Sequence, residues 1–129
     1  MKLHHIFTAL SLALAVSMPS FAADKHGHDH KPLHGGIVAE AADVNYELVA
    51  KPDLLTIYVV DHDKPVATAG AKATGTVYAG SEKTPVTFEP AGENKLTAKG
   101  SFKTGVGVRV AATVTLAGKQ EAKVNFRLK

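Results

Sequence analysis

The chain has 129 residues, with 15 Lys and Arg against 12 Asp and Glu, 7 His, 6% aromatic residues and no Cys. Without Cys there is no disulfide and no thiolate ligand, so stability must come from apolar burial and any metal must be held by nitrogen and oxygen donors. The formal net charge of +3 is carried by lysines interleaved with acids, as in Glu82-Lys83 and Glu121-Ala122-Lys123. That scatter argues against the clustered basic stripe with aromatics that nucleic-acid or membrane-surface binding calls for.

At the N-terminus, Lys2, His4 and His5 precede an apolar run from Ile6 to Val16, followed by Pro19 and Ser20-Phe21-Ala22. The run is too short to span a bilayer, and the small Ser20 and Ala22 suit a signal-peptidase site. Residues 1–22 are therefore expected to be a signal peptide cleaved after Ala22, and the protein to be soluble in the periplasm. Cleavage after Ala23 is the alternative, and it would put bulky Phe21 at a position that should be small. A chain starting Asp24-Lys25-His26 would offer an amine, two amides and an imidazole, a square-planar set for Cu(II) or Ni(II).

Residues 23–33 are polar, with almost nothing to bury, and read as a flexible tail. His26, His28 and His30 lie in this stretch and His34 directly follows it, so that four histidines fall within nine residues. Imidazole is the commonest neutral ligand for borderline divalent ions, and short His-rich tracts are a metal-binding composition. Met1 and Met18 both lie in the expected signal peptide, so the processed chain offers no sulfur. The guests are then Cu(II), Zn(II), Ni(II) or Co(II), with copper or zinc foremost. The run approaches the His-x-His-x-Asp-His of zinc hydrolases but is one residue short, and that enzyme reading is rejected.

His34-Gly35-Gly36 enters the first strand. Its glycines let the backbone approach a neighbour closely or take positive φ, which would fix His34 at the sandwich edge, as a ligand or as an exposed residue of a tight turn. From Ile37 onward the signal is period-two alternation punctuated by Gly, Pro, Asn and Asp. Strands are expected over 36–41, 44–50, 54–60, 72–79, 85–89 and 95–99. Leu54–Val60 is apolar on both faces and should be central. Glu47 lies opposite Tyr46 and Leu48 and should point outward into solvent, as should Glu40.

His62, between Asp61 and Asp63, sits in a turn before Lys64-Pro65, with a divalent-ion site as the second interpretation. Val106, Val108, Val110, Ala112, Val114 and Leu116 share one face and form a hairpin with Ala122, Val124, Phe126 and Leu128. Keeping Leu116 and Ala122 both inward favours a three-residue loop at Gly118-Lys119-Gln120. The expected fold for residues 34–129 is a single all-β domain, an immunoglobulin-like antiparallel β-sandwich of seven or eight strands.

His34-Gly35-Gly36, Asn45-Tyr46-Glu47-Leu48-Val49 and the later Leu55, Tyr58 and Asp61-His62-Asp63-Lys64-Pro65 resemble a group of small proteobacterial periplasmic proteins. They are also similar to the sandwich domain at the N-terminus of some periplasmic adaptor subunits of heavy-metal efflux pumps of the resistance-nodulation-division type. The resemblance runs from about Leu33 to the C-terminus. It implies divalent-metal handling and marks His34 and Glu47. The adaptors' coiled-coil hairpin and lipoyl-like region are missing from this sequence, so any link to efflux would run through metal delivery, buffering or docking.

Two functions are compatible with these observations. The first is a periplasmic metal binder, a buffer or carrier using His26, His28, His30 and His34, with Glu47 and His62 as further candidate ligands. The second is an interaction module docking on a periplasmic partner, with the histidines incidental. An enzyme is disfavoured, because Ser81 and Ser101 are the only serines outside the signal peptide and neither lies near a His in sequence.

Overall fold

The computed structural model describes residues 31–129, and these contain strands and turns but no helix. The expected signal peptide and the tail from Ala23 to His30, with His26, His28 and His30, lie outside the described residues. Nine strands follow in order: β1 (Ile37–Ala41), β2 (Val44–Lys51), β3 (Leu54–Asp61), β4 (Lys64–Pro65), β5 (Lys72–Ala79), β6 (Glu82–Pro90), β7 (Lys95–Lys99), β8 (Arg109–Thr115) and β9 (Ala122–Arg127). The two-residue β4, which the sequence presents as part of a turn, takes the count to nine.

All ladders are antiparallel, and the strand order is β1-β2-β3-β7-β6-β5-β8-β9, with β4 added beside β3. Setting β1 and β4 aside, β2-β3-β7 form one side of the sandwich and β5-β8-β9, with most of β6 beside β5, form the other. β6 joins the two: residues 82–88 pair with β5, while Glu89 and Pro90 pair with β7. At the other end β1 and β9 lie alongside one another without a ladder, so the sandwich is nearly closed, like a barrel. Near-closure protects the sheet edges, which would otherwise present unpaired backbone to other chains.

Alternation sets the inward faces. Tyr46 and Leu48 of β2, Leu55, Ile57 and Val59 of β3, Leu96 of β7, Val110 and Val114 of β8 and Phe126 of β9 are at most 1% exposed. β3 has ladders on both sides and is central, as its two-sided apolar sequence predicts. The Tyr46 hydroxyl shares this interior, and burial raises its pKa. Both residues of the β1–β2 turn, Ala42 and Asp43, and of the β3–β4 turn, His62 and Asp63, have positive φ, between 47° and 64°. This is the type I′ geometry whose twist matches the flanking strands.

Two sequence expectations are corrected in the last hairpin. Val106 does not continue β8 inward: it is 86% exposed, because Gly107 takes φ 87° and breaks the extended backbone before Val108 turns in. Val106→Ser is accordingly expected to change stability by less than about 0.5 kcal/mol, whereas an inward valine would cost more; thermal melts distinguish the two. The loop is also longer than three residues, since Val114 rather than Leu116 pairs with Ala122. Leu116 and Ala122 are nevertheless both buried, because a two-residue shift keeps side-chain parity.

Candidate functional site

The second strand places Glu47 on the outer face, as its alternation with Tyr46 and Leu48 requires, yet the residue is only 5% exposed. Solvation, the sequence expectation, fails because Leu33–Gly36 folds back across β2 and aims its N–H groups at the carboxylate. Oε1 accepts from the Leu33 amide at 2.9 Å, and Oε2 accepts from the His34 amide at 2.8 Å and the Gly36 amide at 2.9 Å. His34 Nδ1 completes the set, 3.1 Å from Oε1. Leu33 therefore belongs structurally with the sandwich and not with the tail.

Both glycines of the His-Gly-Gly segment are needed. Gly35 has φ 72°, the left-handed conformation that reverses the chain. Gly36 packs so tightly that a Cβ there would lie 2.3 Å from the Leu48 carbonyl oxygen. The first provides the positive φ and the second the close approach, the two alternatives that the sequence left open.

Burial by itself would push the Glu47 carboxyl up. The Gly36 amide, the His34 ring and the His34 and Leu33 amides outweigh that effect and hold it below its ordinary value of 4.5. An ionised carboxylate only accepts, so the facing Nδ1 must carry the proton, and in the neutral ring Nε2 then holds the free lone pair. The ring is also fixed from its face. Tyr58 on β3 is the register partner of Glu47, and its ring stacks on His34 with centroids 3.6 Å apart and planes 4° from parallel. The His34 side chain remains 39% exposed.

The other candidates are placed differently. His62 occupies the β3–β4 turn with its side chain 86% exposed, and its Nδ1 contacts the Asp61 carboxylate. Glu40 is exposed on β1. Among the described residues no three His, Asp or Glu side chains gather closely enough to hold one ion. Beside Glu47, a groove of about 250 Å³ is bounded by Lys31, Val38, Asn45, Val60 and Asp63. Asn45, 7% exposed, leaves its Oδ1 without a hydrogen-bond partner. The linear sequence assigns no role to Tyr58 or Asn45. Only the β2–β3 register, which sets Tyr58 against Glu47 and Val60 against Asn45, reveals them.

No family model, curated protein or solved structure matches the chain. No helix among the described residues is long and apolar enough to cross a membrane.

Proposed function

We propose that the protein is a periplasmic, non-enzymatic binder of a borderline divalent cation, Cu(II) or Zn(II) before Ni(II) or Co(II), in which His34 is the fixed ligand. The observation that carries this reading is the Glu47–His34 hydrogen bond, which commits Nδ1 and leaves Nε2 of a side chain 39% exposed as the nitrogen open to an ion. Metal-bound histidines typically donate their second ring nitrogen to a carboxylate in this way. One imidazole does not hold an ion, and the further ligands we assign are His26, His28 and His30 on the adjoining segment. Glu47 moves from ligand to positioning residue, because its two oxygens already accept four hydrogen bonds. His62 is an accessory ligand at most, being exposed and paired with Asp61. A buffering or carrier role connected with heavy-metal efflux rests on the resemblance of the His-Gly-Gly and Glu-Leu-Val segments.

Calorimetric titration of the processed chain with Cu(II), Zn(II), Ni(II) and Co(II) tests the proposal. Deleting Asp24–Lys31 should leave folding intact and lower stoichiometry or affinity, and His34→Ala should weaken binding by about tenfold or more. Affinity should also fall between about pH 7.5 and 5.5, because protonated imidazole has no lone pair to give. Binding indifferent to both the deletion and His34→Ala, or flat across that pH range, overturns the assignment.

A further inference from the structure

The fold gathers a basic row that the linear sequence disperses. Tyr78 of β5 lies opposite Lys83 of β6 on one side and Arg109 of β8 on the other, and Arg109 lies opposite Arg127 of β9. Val77, Val110 and Phe126, their neighbours along the strands, point into the core. The row therefore stands on the outer face, with Lys83, Arg109 and Arg127 exposed. At about 4.8 Å per strand it spans about 14 Å.

Two features of this row call for an anion. Arg109 and Arg127 face each other directly, a like-charge cross-strand pair that is unfavourable when left uncompensated. No carboxylate pairs with either among the described residues, and Glu82, next to Lys83, is engaged by Lys103 at 3.0 Å. The Arg109 guanidinium is held over the Tyr78 ring, 4.5 Å from its centroid, so its position above the sheet is set in advance. Alongside the row, Thr74, Thr76, Thr113, Asn125 and Lys123 line a shallow depression of about 340 Å³, adding hydroxyls, an amide and another cation to the same face.

We propose that this face docks on the phosphates of an anionic phospholipid surface, without insertion. The outer face of a sheet carrying cations in a row meets a planar array of headgroup phosphates at several points at once. Single-stranded nucleic acid is disfavoured, because it needs open aromatic faces for base stacking and the Tyr78 ring is already covered by Arg109.

The processed chain should co-sediment with vesicles of phosphatidylcholine mixed with phosphatidylglycerol but not with phosphatidylcholine alone, and added salt should release it. Arg109→Glu with Arg127→Glu should reduce vesicle binding at least about tenfold, whereas Lys64→Glu on the other sheet should change it less than about twofold. The single Arg127→Glu should weaken binding without lowering the melting temperature, because it replaces a like-charge pair with an opposite one. Inorganic phosphate at about ten millimolar should compete poorly with multipoint docking. Equal losses for Lys64→Glu and Arg127→Glu would reduce the effect to net charge and overturn the proposal. Displacement by inorganic phosphate, or preference for a single-stranded oligonucleotide over vesicles, would overturn it as well.

Discussion

Glu47→Ala is expected to lower the melting temperature by about 10–20 °C, the counterpart of about 2–4 kcal/mol in a domain of this size. The substitution removes the acceptor for three backbone amides and a ring nitrogen, all within 3.1 Å. Hydrogen bonds to an ionised group each contribute about 1.5–3 kcal/mol, but those values do not simply add here. Once released, Leu33–Gly36 turns its amides to water and regains backbone freedom, about 1–2 kcal/mol per residue, which limits the loss.

The same contact predicts the acid limb of stability. The native carboxyl titrates below 4.5, so its contribution is fully present above that value and is lost as pH falls through the lowered native pKa. Glu47→Gln keeps the shape of the side chain but turns an amide N–H₂ toward other donors, so it is destabilising and does not titrate. The gap in melting temperature between the natural protein and Glu47→Gln should therefore be widest above the ordinary carboxyl value of 4.5 and narrow as the pH falls below it. A gap of constant width would mean that the carboxylate's charge is not what holds Leu33–Gly36.

Gly36→Ala is expected to destabilise by about 3 kcal/mol, at the upper end of what overpacking costs. The added methyl would sit 2.3 Å from the Leu48 carbonyl oxygen and 2.9 Å from its carbon. Those atoms belong to backbone, so no side-chain rotation relieves the clash. Either β1 separates locally from β2 or the Gly36 amide leaves Glu47. Gly35→Ala is the informative comparison, since nothing lies within 4 Å of its added Cβ and only the φ of 72° opposes it. It should cost about 1–2 kcal/mol. Both variants should also weaken metal binding by freeing the His34 ring from Tyr58. Thermal melts set beside metal titrations check the two effects separately, and equal costs for the two alanines would remove the close approach as the cause.

The sequence by itself determined every strand but β4 and, apart from Val106, which of their apolar residues face inward. Tyr46, Leu48, Ile57, Val110 and Phe126 are buried as alternation requires, because the pleat ties each side chain's direction to its position in its own strand. The turn at Asp61-His62-Asp63-Lys64 and the need for glycine at 35 and 36 were legible for a similar reason, as backbone constraints written into single residues, but which glycine takes the positive φ and which the close approach was not. What alternation leaves undetermined is any shift by two residues, which is why the register of β8 against β9 had to come from the packed structure. Tertiary structure also decided the fate of Glu47, an outward residue that is buried because a segment 11 to 14 positions earlier folds over it. It decided the alignment of Tyr78 with Lys83, Arg109 and Arg127 too, residues that look dispersed until four strands lie side by side. Both depend on which strand adjoins which, and that is settled by closing one core, whereas a periodicity carries only the direction of each side chain along its own strand.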